Sequence, residues 1–250
     1  MTVGALTPTM SERLHWRNRP DGNPLMYQSR RDLLFFHWKV DPVQVQRTLP
    51  PGLTVDTYND LAYVGIVPFM VCDARPRGLP AVGFVSDFLE LNIRTYVVDR
   101  TGAPGIWYYA LDCDQPPAVW GARMLYSLNY RHAQLKHTIA APRSISYAHH
   151  LQVAERSALL TCAVGHESKA PAQGTLDFFL LERYLLFSVS GEVVHRTQIH
   201  HAPYPMVDAT MQTCQSNLLA EFGFDVNESV PDHVRASPGV DVEVFALDER

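Results

Sequence analysis

From Phe84 to Val98 the chain alternates with a period of two. One face carries Leu89, Leu91, Ile93, Thr95 and Val97, the other Phe88, Glu90, Asn92, Arg94 and Tyr96. That pattern predicts an extended strand, because successive strand side chains point to opposite sides. Gly102 and Pro104-Gly105 turn the chain, and Ile106 to Leu111 returns as an antiparallel partner. Further strands are expected at the apolar run Leu33 to Val40, at Leu61 to Val71 with a bend at Pro68, at Arg143 to Ala154, at Ser157 to Val164 and at Val240 to Phe245. Tyr184 to Val189 and Glu192 to His201 flank Ser190-Gly191 as a hairpin. Helix signals are fewer. Asp41-Pro42 opens a short helix that ends by Pro50-Pro51-Gly52, Asp114 to Pro117 opens one through Ser127, and Thr175 caps one reaching Arg183. Pro203 and Pro205 precede a helix to Gly223, with Val207, Met211, Cys214, Leu218 and Phe222 spaced as one buried stripe. With about eight to ten strands and three or four helices, an α+β fold around a sheet or barrel is expected.

Composition narrows the class. The 250 residues are 46% hydrophobic and 19% charged, enough to bury a core without staples. No linker or repeat divides the chain, so residues 1–12 are expected as a flexible lead and 13–250 as one domain. A net charge of -5 without a basic stripe argues against nucleic acid. The four cysteines, Cys72, Cys113, Cys162 and Cys214, lack C-x-x-C spacing and read as buried thiols. No apolar stretch reaches about 18 residues and Met1 to Met10 show no basic segment followed by an apolar one, so the expected location is the cytoplasm, with no membrane partner.

The chemistry concentrates on one strand face. Period two gathers the carboxylate of Glu90, the amide of Asn92 and the guanidinium of Arg94 between the aromatic rings of Phe88 and Tyr96. Exposed strand faces rarely carry aromatics at both ends, so a pocket wall competes evenly with a solvent-facing Glu/Arg pair. His200 and His201 are adjacent and point to opposite faces, as do His149 and His150, so neither pair can hold a metal. His201 could face a cavity, although a hydrogen-bonded structural histidine is the commoner outcome. Glu182 and Arg183 are favoured as a tie between helix and strand, and Trp38 as core. The large cofactor motifs are absent and no cofactor is expected. Lysine occurs only at Lys39, Lys136 and Lys169.

Several segments together carry a resemblance: Phe36-His37-Trp38, Leu49-Pro50-Pro51-Gly52-Leu53, Gly65-Ile66-Val67-Pro68-Phe69, Glu90 through Val97, Leu176-Asp177 through Glu182-Arg183-Tyr184, and His201-Ala202-Pro203-Tyr204-Pro205. The chain resembles the YqjF-like family of bacterial proteins of unknown function, itself similar in fold to acetoacetate decarboxylase. That resemblance implies a mainly antiparallel closed β-barrel around a ligand cavity, with a flanking sheet, a few helices and a tendency to form homo-oligomers. Glu90 looks similar to the decarboxylase's strand glutamate. The Schiff-base lysine does not carry over, because the matching stretch reads Leu128-Asn129-Tyr130, and a tyrosine cannot form an imine. Classical acetoacetate decarboxylation is therefore disfavoured, and Lys39 or Lys136 could replace the amine only through an unexpected geometry. The leading expectation is an enzyme acting without a metal on a small carbonyl or enolisable acid. In it Arg94 binds an anionic group, Glu90 moves a proton and Tyr130 polarises an oxygen, while Asn92, Tyr96, Trp38, Arg183 and His201 contact the substrate. The rival is a noncatalytic protein that binds a small molecule in the barrel.

Overall fold

A computed structural model describes residues 7–115, 128–140 and 143–249. In chain order its elements are α1 (Met10–His15), β1 (Met26–Val40), α2 (Pro42–Gln46), β2 (Leu53–Val55), β3 (Ala62–Pro76), α3 (Gly83–Ser86), β4 (Phe88–Asp99), β5 (Pro104–Cys113), β6 (Tyr130–His132), β7 (Gln134–Ala140), β8 (Ser144–Leu151), β9 (Arg156–Lys169), α4 (Leu176–Leu181), β10 (Leu185–Ser190), β11 (Val193–His200), β12 (Met206–Ser216) and β13 (His233–Glu249). The α+β expectation holds, with sheet dominating. Among the described residues no helix is long and apolar enough to cross a membrane.

All thirteen strands belong to one hydrogen-bonded system. Its path β1-β3-β4-β5-β10-β11-β13 returns on itself, because β1 pairs with β13 from Met26↔Val244 to His37↔His233 as well as with β3. From β13 the sheet continues outward through β12, β9, β8 and β7. The sheet is mixed rather than antiparallel throughout: β10 and β6 both run parallel to β5. The long chain excursion between β5 and β10 leaves the direction of return open, whereas a hairpin turn would force reversal.

Two apolar clusters lie on either side of the ring wall. One takes side chains from all seven ring strands, among them Phe35, Phe69, Tyr96, Tyr108, Leu186, Ile199 and Val242, and therefore lies on the inside. The other sets Phe36, Trp38, Ile66, Leu91 and Ile93 against Leu135, Tyr147, Leu160, Cys162 and Cys214 of the outer strands. β1, β3 and β4 are thus buried on both faces, which is why Leu33 to Phe36 reads as an unbroken apolar run.

Three expectations change. The stretch expected as a helix to Gly223 is instead strand β12, followed by a short 3-10 turn over Leu219–Phe222. Register shifts against β9 at Val207/Ala209 and Met211/Thr213 break the period of two and leave an apolar spacing that mimics a helical stripe. Residues 10–12, expected in the flexible lead, lie in α1, where Thr9 and Glu12 form a reciprocal capping box. The third change is that β6 and β7 occupy a segment in which the sequence pattern shows no strand. Most of the helix expected from Asp114 to Ser127 lies outside the described residues.

Candidate functional site

β4 delivers its two faces as the alternation requires. Leu91 and Ile93 enter the outer cluster, while Glu90 (4% exposed), Asn92, Arg94 and Tyr96 are buried on the inner side. Tyr130, at the start of β6, donates its hydroxyl to Glu90 Oε2 across 3.1 Å. Burial pushes the Glu90 carboxyl up to about 7, against the opposing pull of Arg30 and of the Tyr130 hydrogen bond. No cation among the described residues comes within ion-pair distance of it.

Arg30 is the residue that the sequence pattern missed. It stands over the Phe69 ring, 5.3 Å from its centroid, and its guanidinium is held by the Gln28 side-chain oxygen at 3.1 and 3.2 Å once that amide is oriented by its partners. Although burial opposes its charge, the Tyr204, Tyr108 and Glu90 groups around it hold its pKa above the ordinary arginine value. Asp32, two residues beyond Arg30, sits at φ 54, and the pairing of β1 with β3 shifts register by one residue between Arg31 and Phe36. That extra residue reverses the alternation of β1, so Arg30, Leu33 and Phe35 all face inward. Burial pushes Tyr108 and Cys113, also near Glu90, up to about 12 each, and raises Tyr130 well above the usual phenol range.

The remaining expected residues divide. Arg94 lies between the Phe35 and Tyr96 rings at 5.6 and 5.7 Å and donates to the Leu180 carbonyl across 3.2 Å. Its Nε and the Asn92 Oδ1 are buried without a hydrogen-bond partner among the described residues. His201 stacks on Tyr184 at 4.8 Å, and its Nδ1 donates to the Ala202 carbonyl at 2.7 Å. That bond leaves Nε2 as a buried acceptor with no partner among the described residues, and burial pulls the imidazole down to about 3. His200, on the opposite face, contacts the Arg17 carbonyl. Arg183 is a structural tie: it donates to Asp56 Oδ2 and to the Phe179 carbonyl, each at 2.7 Å. Glu182 likewise ties the end of α4 to the Tyr184 hydroxyl and the Tyr204 amide. Trp38 is in the outer cluster, its indole donating to the Asn227 carbonyl, on the far side of the wall from Glu90.

No lysine joins this group. Lys39 pairs with Asp232 at 3.3 Å on the surface, and Lys136 and Lys169 are exposed. Among the described residues no three His, Cys, Asp or Glu side chains gather as a metal site requires.

A model of DUF2071, described as an uncharacterized conserved protein family, matches residues 27–241. The chain belongs to the DUF2071 family. It is 34% identical over 227 residues to the uncharacterized protein YqjF of Bacillus subtilis, covering 89% of this chain and 92% of that one. Among solved structures, the DUF2071 chain is similar to an acetoacetate decarboxylase-like enzyme from Sphingomonas wittichii RW1, with TM-score 0.63 and 13% identity over 92% and 94% of the two chains. It is also similar to the enduracididine biosynthesis enzyme MppR complexed with pyruvate (TM-score 0.60, 14% identity, 93% of each chain). Acetoacetate decarboxylase of Legionella pneumophila gives TM-score 0.60 at 12% identity, over 93% and 91% of the chains. At these identities the likeness establishes the acetoacetate decarboxylase-like fold alone.

Proposed function

We propose that the seven-strand ring of this DUF2071 protein is a barrel whose interior binds a small carbonyl compound or enolisable carboxylic acid, and that Glu90 exchanges a proton with it. The observation that carries this reading is Glu90 itself, a buried carboxyl pushed up to about 7 with a tyrosine hydroxyl at 3.1 Å and two arginines in the same enclosed group. A carboxyl with that pKa is about half ionised at neutral pH, so it can both take and return a proton. In the proposed step, the Glu90 carboxylate removes a proton from the carbon beside the carbonyl, the C–H electron pair becomes the carbon–carbon π bond of the enolate, and the carbonyl π pair moves onto the oxygen. Tyr130 turns its hydroxyl to that oxygen, and Arg94 with Arg30 holds the acid's carboxylate. The step uses no imine, consistent with every lysine facing solvent.

The test is solvent deuterium exchange. Pyruvate and a panel of larger keto acids, incubated with the protein in D2O and followed by proton NMR, should lose their α-hydrogens faster than in buffer. Glu90→Gln should slow that exchange at least a hundredfold with binding retained, and Tyr130→Phe should slow it roughly ten- to a hundredfold. Equal exchange in wild type and Glu90→Gln would eliminate the proton-transfer role.

A second reading, a noncatalytic binding protein, is favoured by the unpartnered Asn92 Oδ1, Arg94 Nε and His201 Nε2, which a polar ligand would satisfy. A keto acid that raises the melting temperature while its α-hydrogens remain unexchanged would select this reading.

A further inference from the structure

A continuous chain of buried polar groups crosses the molecule from α4 into the ring, and the Glu90 chemistry makes no use of it. Its outer end is Asp177, whose side chain is 19% exposed and sits 3.1 Å from Arg235. His233 Nε2 lies 2.7 Å from Asp177 Oδ1, His233 Nδ1 lies 3.1 Å from His37 Nδ1, and His37 Nε2 lies 2.7 Å from the Tyr96 hydroxyl. Tyr96 is fully buried on the same inner face as Glu90 and Arg94, and its hydroxyl also reaches the Leu180 carbonyl at 2.9 Å.

With the charge kept off His37, which burial, His233 and Arg94 disfavour, hydrogen-bond accounting leaves this chain two resting states. Although burial opposes ionisation, the contacts from His233 and Arg235 hold Asp177 below the usual carboxylate range. As a carboxylate it accepts only, so His233 Nε2 carries a hydrogen in both states. The facing Nδ1 atoms need one hydrogen between them. In the first state it sits on His37, whose Nε2 then accepts from Tyr96. In the second it sits on His233, which is now an imidazolium against Asp177; His37 carries its hydrogen on Nε2 and donates to Tyr96, and the Tyr96 hydroxyl turns to Leu180. The two states differ by one proton and by the direction of every bond from His233 to Tyr96.

We propose that Asp177, His233, His37 and Tyr96 form a proton relay between the ring interior and the outer edge of α4. A proton accepted by Tyr96 Oη displaces the tyrosine's own hydrogen onto His37 Nε2. His37 passes its Nδ1 hydrogen to His233, and the positive charge comes to rest beside Asp177. The surroundings fit that resting place. Burial, His233 and Arg94 together hold His37 well below the ordinary histidine value, so the charge does not stay on it. Burial likewise raises Tyr96, despite the nearby Arg94 and Arg183, so it conducts as a hydroxyl rather than as a phenolate. The other charged groups at the two ends are Arg235 against Asp177, Asp232 paired with Lys39, and Asp56 paired with Arg183. Gly65 makes room for the relay: a Cβ there would come 2.6 Å from His37 Cδ2 and 3.0 Å from its Nε2.

The relay is tested on the full-length, uniformly 15N-labelled protein by long-range proton–nitrogen correlation of the histidine rings across pH, with His37→Gln and His233→Gln for assignment. His37 should hold its hydrogen on Nδ1 at high pH and on Nε2 at low pH, with a midpoint shared with His233 protonation. Gly65→Ala removes no titratable group yet displaces the His37 ring, and should uncouple the two midpoints. The proposal is overturned if His37 keeps one tautomer while His233 titrates, or if the two rings titrate at separate midpoints in the wild type. The measurement needs no substrate, so its failure would leave the proposed role of Glu90 standing.

Discussion

Glu90 and Asp56 are both carboxylates almost without solvent contact, at 4% and 2% exposure, yet their surroundings push them in opposite directions. Asp56 receives Arg13 and Arg183 at 2.7 Å each, and the two guanidiniums overcome its burial and hold it below the usual range. Glu90 has one phenolic donor and no cation at contact distance among the described residues, so burial dominates and the carboxyl rises to about 7. Sequence alternation showed that Glu90 and Arg94 share a face, but it could not show which buried acid keeps its proton, because that depends on partners far along the chain. A raised folded-state pKa has a definite sign in stability. The folded state binds the proton more tightly than the unfolded chain, so this contribution is fully present below pH 4.5 and is lost as pH rises through about 7. Glu90→Gln should therefore gain on wild type by up to about 3 kcal/mol between pH 4.5 and pH 8. Urea unfolding of both proteins at the two ends of that window checks it; a pH-independent difference would mean that Glu90 is not desolvated.

At the scale of elements, the informative features are bulges. The Asp32 bulge turns Arg30 inward, and directly across the β1/β13 ladder Gly239 sits at φ +132, where an added Cβ would lie 2.0 Å from the Arg30 carbonyl oxygen. Backbone cannot yield as a flexible side chain can, so Gly239→Ala should cost about 3 kcal/mol or more in unfolding free energy. It should also move Arg30 and, by weakening the cation's influence, raise the Glu90 midpoint further. Equilibrium denaturation and carboxyl-carbon NMR measure the two effects separately. The β12 shifts produced the opposite error, making a strand look helical. Period-two patterns are legible only where pairing is regular, and a bulge is set by the partner strand, which for β1 and β12 lies far away in sequence.

Among the described residues the sheet closes into a ring and continues outward from β13 through β12, β9, β8 and β7, and the strands of the ring wall separate the two apolar clusters. A cavity in the outer cluster should therefore lower stability without disturbing the proton chemistry inside. Leu160→Ala removes a fully buried side chain from the β9 contribution to the outer cluster and should cost about 2–5 kcal/mol. The Glu90 midpoint measured by carboxyl NMR in the same variant should stay near 7. A shift of a full unit would show that the two cores behave as one.

The amino-acid sequence by itself determined which segments are strands where alternation is unbroken, the shared face of Glu90, Asn92, Arg94 and Tyr96, and the scarcity of lysine, which occurs only at Lys39, Lys136 and Lys169. These follow from side-chain geometry along a single strand and from residue chemistry. Closure of the ring, the inward turn of Arg30, the outward placement of Trp38 and the meeting of His37 with His233 were decided only by tertiary structure. Each depends on pairing between β1 and strands that lie far away in the chain, above all β13, and no local pattern records which strand a ladder will join.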